Sequence, residues 1–181
     1  RVSKFGVFTA KSVLYSVPSR LAGHRLKVRL HSTHLDAWLG GVKVFECERL
    51  HASAADRHPR QIDWRHMLPS LKRKPGAFAR YRYQATLFPT TTFRRASDAL
   101  TACQGSRADV EYVRLLQLAA RTSECEVETV LGRLLDGGTR WDAMQVKALV
   151  QPDVIAVPPC ALPPPNLSVY DACLDVVGGG R

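Results

Sequence analysis

The chain has 181 residues, enough for one ordinary domain or two small ones, and its 45% apolar content argues against wholesale disorder. No run reaches the roughly 18 apolar residues of a membrane span, and no apolar stretch follows Arg1 to Lys4 as a secretory leader would require. The net charge of +10 points to an anionic partner.

In chain order, Lys4 to Thr9 and Val13 to Val17 are β-branched and aromatic-rich, which predicts two short strands closed by Pro18-Ser19. Arg25 to Leu30 alternates strictly, so Leu26, Val28 and Leu30 face a core while Arg25, Lys27 and Arg29 line the other face. Leu35 to Leu39 and Val42 to Cys47 flank Gly40-Gly41, a hairpin signal. Five short strands in about fifty residues suggest a small antiparallel β-barrel over residues 1–50. Residues 51–91 then read as a basic linker with short helices. Asp63 is placed to cap one over Trp64 to Leu71, and a second is expected over Gly76 to Tyr83.

From Thr92 the period becomes helical, and residues 92–150 are expected to form a helical bundle. Phe93 to Cys103 is the first helix, stopped by Gly105. Ser106 to Asp109 resembles a capping box before Val110 to Ala120, and Ser123 to Glu126 resembles another. Val127, Val130, Leu131, Leu134 and Leu135 make an amphipathic stripe that Gly137-Gly138 ends, and Thr139 to Leu149 completes the bundle. Six of the 11 prolines fall between Pro152 and Pro165, so residues 151–181 are expected to be a Pro-rich extended tail with a short terminal helix. The fold class is therefore α+β: a small antiparallel barrel followed by a mostly helical region.

Catalytic chemistry is hard to find. Metal-dependent nucleases and strand transferases need clustered carboxylates, yet Glu46 and Glu48, two apart on one strand, read as a solvated face. His31-x-x-His34 sits at a strand end with only Asp36 near ligand spacing and reads as surface histidines, so no metal ligand is assigned. No nucleophile elbow, phosphate loop or dinucleotide fingerprint occurs. Cys47, Cys103, Cys125, Cys160 and Cys173 are odd in number and contain no C-x-x-C pair, which suggests reduced thiols in a cytoplasmic protein.

The cations are more informative. Residues 1–100 carry 19 Lys/Arg against 6 Asp/Glu, whereas residues 101–181 carry 7 against 10. Arg25, Lys27 and Arg29 would stand ~6.7 Å apart, close to the phosphate spacing of a nucleic-acid strand. Lys72, Arg73 and Lys74 lie beside Arg80 and Arg82, and Arg94 and Arg95 open a helix. Such clusters suit phosphate contacts. Tyr81 and Tyr83, between the arginines, are expected to pack rather than to stack on bases, and Trp64 to anchor the core.

Several stretches carry a family resemblance. Tyr15-Ser16-Val17-Pro18-Ser19-Arg20-Leu21-Ala22-Gly23-His24-Arg25-Leu26-Lys27-Val28-Arg29 is one, and Ile62-Asp63-Trp64-Arg65-His66 is another. Ser70 to Ala77, Leu87-Phe88-Pro89, Phe93-Arg94-Arg95-Ala96 and Leu167 to Leu174 continue in the same order. Together they resemble the region after the catalytic core of IstA-type insertion-sequence transposases. The resemblance implies a longer parent with a helix-turn-helix region and a D-D-E strand-transfer core using a divalent metal of the Mg type. None of that core lies in these residues, so no catalytic residue and no cofactor is assigned; a start without Met fits the same expectation. It further implies a non-catalytic C-terminal part that binds duplex DNA at the element ends, assembles with sister subunits and meets an IstB-like ATPase. The matched motifs supply Arg20, His24, Arg25, Lys27, Arg29, Lys72, Arg73, Lys74, Arg94 and Arg95; charge alone assigns these, with Arg80 and Arg82, to DNA. The alternative is a protein-interaction module that contacts the ATPase or sister subunits without touching DNA.

Overall fold

Two short sheets and a group of five helices make up the described residues, 1–51 and 59–151 of this computed structural model, so the chain is α+β. The expected Pro-rich tail and terminal helix lie outside the described residues, apart from Gln151, as do residues 52–58 of the expected linker.

β1 (Val7–Ala10) and β2 (Val13–Ser16) pair antiparallel, with Ala10 opposite Val13. Lys11 and Ser12 close this hairpin with φ of +47° and +67°, the left-handed pair that a two-residue loop needs, and here without glycine. Pro18 and a 3-10 turn over Ser19–Leu21 then redirect the chain. β3 (Lys27–Leu30), β4 (His34–Leu39) and β5 (Val42–Glu48) form a second antiparallel sheet. Gly40-Gly41 turns β4 into β5 at φ of +55° and +87°, and a register shift sits at Ala37/Trp38. A sixth strand, β6 (Arg60–Gln61), lies parallel to β2 with Leu14 opposite Arg60.

The expected closed barrel is not formed. The strands split into two three-stranded sheets, ordered β1-β2-β6 and β3-β4-β5. The physical reason is edge occupancy: β1 and β6 take both edges of β2, leaving no backbone donors there for β3. The sheets still share a core of Val2, Phe8, Val13, Tyr15, Val17, Leu21 and Leu35.

Asp63 caps the next segment as expected, accepting the Arg65 amide at 2.9 Å. A 3-10 turn over Trp64–Met67 runs into α1 (Leu68–Arg73), with Pro69 in the first turn, where its missing amide costs least. The helix expected over Gly76 to Tyr83 is not formed; only a 3-10 turn over Pro75–Ala77 overlaps its start. Phe78 is drawn into the helical core while the Tyr81 hydroxyl donates to the Phe5 carbonyl at 2.9 Å. Successive i to i−3 bonds from Phe78 to Pro75, Tyr81 to Phe78 and Gln84 to Tyr81 accommodate both anchors.

α2 (Thr91–Gln104) buries Phe93, Ala96 and Leu100 and ends where Gly105 takes φ +55°. α3 (Ala108–Arg121) is entered directly from a 3-10 turn, and its cap residue Arg107 is already helical, so the expected box at Ser106 to Asp109 is absent. α4 (Glu124–Asp136) follows an extended Ser123 whose side chain makes no cap bond. Its stripe points inward: Val127 and Leu131 are buried, and Val130, Leu134 and Leu135 pack against the same core. α5 (Ala143–Val150) starts four residues after Thr139, because the capping box is made by Asp142 and Gln145. Trp64, Met67, Leu71, Phe78 and Leu87 join the helices in one core.

Candidate nucleic-acid interface

All twelve cationic residues singled out from the sequence are exposed, but they stand on separate surfaces. Strand alternation and register define the first, the outer face of the β3-β4-β5 sheet. Lys27 stands opposite Trp38, and Arg29 opposite Asp36. Asp36 in turn faces Glu46, and His34 faces Glu48. The Arg29 guanidinium lies 4.8 Å from the centre of the Trp38 ring. Lys43 Nζ is 2.9 Å from Asp36 Oδ1 and 2.5 Å from Glu46. That hydrogen bond, with His31 at 3.2 Å, holds the Asp36 carboxyl below the usual carboxylate range. The face is therefore of mixed charge. Arg25 and His24 precede β3 in the connecting segment.

A second surface forms where the start of the chain meets residues 74–83. An open pocket of about 530 Å³ is lined by Lys4, Phe5, Lys74, Arg80 and Tyr81. Phe5, Tyr81 and Tyr83 meet edge to face, with ring centres 5.9 to 6.2 Å apart. Burial and the neighbouring Tyr83 push the Tyr81 hydroxyl up to about 12, so it serves as a neutral post beneath the pocket. Tyr83 also lines an adjoining pocket of about 380 Å³ with Arg60 and Arg82. Those two guanidinium groups lie 5.9 and 5.7 Å from the Tyr83 ring centre, and Lys4 Nζ lies 5.2 Å from that of Phe5. Lys4, Arg60, Lys74, Arg80 and Arg82 make no ion pair among the described residues. The result is a basic seam with aromatic walls.

Lys74, Arg80 and Arg82 are among the residues expected from sequence; Lys4 and Arg60 are not, because neither lies in a dense cationic run or a matched motif. The 3-10 turn carrying Arg20 packs against α1, whose last turn exposes Lys72 and Arg73. On α2, Arg94 lies over Phe88 at 5.8 Å and Arg95 pairs with Asp136 at 3.4 Å.

Two other constellations bear on chemistry. Ser16 Oγ lies 2.8 Å from His66 Nδ1, and His66 Nε2 lies 4.0 Å from Asp63 Oδ2. This resembles a nucleophile-base-acid set, but Ser16 is 2% exposed and its oxygen also accepts the Asp63 amide at 2.8 Å. The group ties β2 to the helical half and offers no substrate a path to the hydroxyl. Separately, the turn between β3 and β4 brings His31, His34 and Asp36 together, with one ligand atom from each within 4.8 Å of the others. No helix among the described residues is long and apolar enough to cross a membrane.

Comparison with known proteins gives a distant affiliation. Over 182 aligned residues the chain is 37% identical to an uncharacterized protein of Sinorhizobium fredii (y4jA/y4nE/y4sE), covering 99% of this chain and 36% of that one. It is 30% identical over 125 residues to the transposase for insertion sequences IS1326/IS1353 of Pseudomonas aeruginosa, and equally to that of Shigella flexneri. Those alignments cover 68% of this chain and 24% of each transposase. The chain thus spans about a quarter to a third of the length of these relatives. No family model and no solved structure matches it. Its similarity is to insertion-sequence transposases, at a distance.

Proposed function

We propose that this chain is the DNA-holding, non-catalytic part of an IstA-type transposase. The observation that carries the proposal is the basic seam, where five cations gather around Phe5, Tyr81 and Tyr83 without a carboxylate partner among the described residues. The distant likeness to insertion-sequence transposases supports duplex DNA as the polyanion. On this proposal strand transfer, its D-D-E triad and its divalent metal belong to another part of the parent, which works in the bacterial cytoplasm. The present residues position the element ends for assembly with sister subunits and an IstB-like ATPase. The test is binding to duplex DNA over a salt series. Several phosphate contacts require a steep loss of affinity as salt rises, and an affinity that barely responds overturns the proposal.

One observation favours a second reading for the helical half. On α5, Met144 is 65% exposed and lines a shallow groove with Arg114, Arg121 and Lys147. An exposed methionine in a groove rimmed by cations suits a protein partner, a sister subunit or the ATPase. Met144→Asp would then disrupt assembly while leaving DNA retention intact; lost DNA retention with assembly intact would count against this division of labour.

A further inference from the structure

We propose that His31, His34 and Asp36 form a binding site for a late first-row divalent metal ion, with zinc the best match. Two imidazoles and one carboxylate are a donor set for zinc and its neighbours, whereas magnesium and calcium prefer all-oxygen surroundings. One ligand atom from each residue already lies within 4.8 Å of the other two. His31 Nε2 and Asp36 Oδ2 stand 3.2 Å apart. Two ligands on a tetrahedral zinc stand about 3.4 Å apart, given bonds of about 2.0 to 2.2 Å. The imidazole rings are stacked with centres 4.2 Å apart and planes 9° from parallel.

The scaffold beneath these donors is braced. The His31 amide donates to the His34 carbonyl at 2.9 Å. The Arg49 guanidinium donates to the His31 carbonyl at 2.7 Å, and the Arg49 amide to the Thr33 carbonyl at 2.8 Å. Thr33 Oγ1 lies 3.2 Å from His34 Nδ1, an outer partner that orients the ring and leaves Nε2 to ligate. Asp36 is only 10% exposed at its side chain, and Lys43 holds its Oδ1, which leaves Oδ2 for the ion. Lys43 need not leave the face, because Glu46 is a second partner at 2.5 Å. The fourth position falls to water or to Glu48, the cross-strand partner of His34. A bound ion would staple the β3-β4 turn and add two positive charges to a face that now holds Asp36, Glu46 and Glu48.

The experiment uses the full chain without an affinity tag, titrated with Zn²⁺ against a chromophoric chelator and with Co²⁺ by visible absorption. The expected result is one tight equivalent of Zn²⁺. Its Co²⁺ form should show tetrahedral d–d bands without thiolate charge transfer. His31→Ala and His34→Ala each remove a direct ligand, so each should weaken Zn²⁺ by more than the roughly 100-fold that loss of an outer partner costs. Both positions are exposed or half-buried, and unchanged far-UV circular dichroism would confirm folding. Lys43→Met should retain or tighten binding. The proposal is overturned if no tight equivalent binds, or if the double variant H31A/H34A binds as the native chain does. A thiolate band would also overturn it, since Cys103 and Cys125 are exposed thiols elsewhere.

Discussion

The sharpest test of the DNA-binding proposal sets the seam against the strand stripe. If Lys4, Arg60, Lys74, Arg80 and Arg82 each neutralise one phosphate, log affinity should fall with log salt at a slope of about −4.5, from −0.9 per contact. A fourfold rise in salt, from 50 to 200 mM, then weakens binding about 500-fold. Lys74→Ala with Arg80→Ala removes two contacts, lowers the slope to about −2.7 and leaves a weakening of about 40-fold over the same range. The triple variant Arg25→Ala, Lys27→Ala, Arg29→Ala should change the slope by less than one contact. Its cations share a face with Asp36, Glu46 and Glu48, and Arg29 is engaged on Trp38. Fluorescence anisotropy with a labelled duplex at four or five salt concentrations measures all three slopes. The affected side chains are exposed, so altered folding should not confuse the comparison. A slope that falls by nearly three contacts in the strand variant and stays fixed in the seam variant would refute the reasoning.

Four further outcomes concern stability. Ser16→Ala leaves the Asp63 amide and His66 Nδ1 without their shared partner, so a loss of about 1–3 kcal/mol is expected in urea unfolding. Burial lowers the His66 pKa, which means the folded state resists the proton that the unfolded state takes up near pH 6.5. The His66 contribution is thus present above that pH and lost as pH falls through the lower folded value. A melting temperature whose fall below pH 6.5 is the same in His66→Gln would contradict it. Lys11→Asn with Ser12→Gly places turn-adapted residues at two left-handed positions and should stabilise by about 1–2 kcal/mol, read as a rise in melting temperature. Leu131→Ala empties a fully buried site in α4 and should cost about 2–5 kcal/mol; a cost under 1 kcal/mol would mean that the helical core is looser than its packing indicates.

Much of the secondary structure is legible because it follows from local periodicity. The Gly40-Gly41 turn and the stripe from Val127 to Leu135 each describe their own element without reference to the rest of the chain; the Arg25 to Leu30 alternation does so in part, since β3 begins at Lys27 and Leu30, expected in the core, is exposed at the strand end. The failures are non-local. The hairpin at Lys11-Ser12 has no glycine or asparagine to announce it, and β6 is only two residues long, a pattern that exists through pairing with β2. That pairing is also what prevents a barrel. The capping boxes show the same limit at shorter range. Ser106 and Ser123 have the residue types for a cap, but a helical Arg107 and an unbonded Ser123 leave the one complete box among the described residues to Asp142 and Gln145.

The interface is legible only in part, and for an electrostatic reason. Counting lysines and arginines along a strand measures charge in one dimension, but phosphates respond to the charge of a surface. Register places Asp36 opposite Arg29 and aligns Glu46 and Glu48 behind it, so a run that is wholly basic in sequence becomes mixed in the sheet. The opposite happens at the seam. Lys4 and Arg60 lie far in sequence from Lys74, Arg80 and Arg82, yet the Tyr81 bond to Phe5 and the β2-β6 pairing carry them there. Partner acids are removed from one group of cations and supplied to the other by the same tertiary contacts. The residues best placed to hold phosphate are therefore those whose neighbours across the fold, rather than along the chain, are uncharged or aromatic.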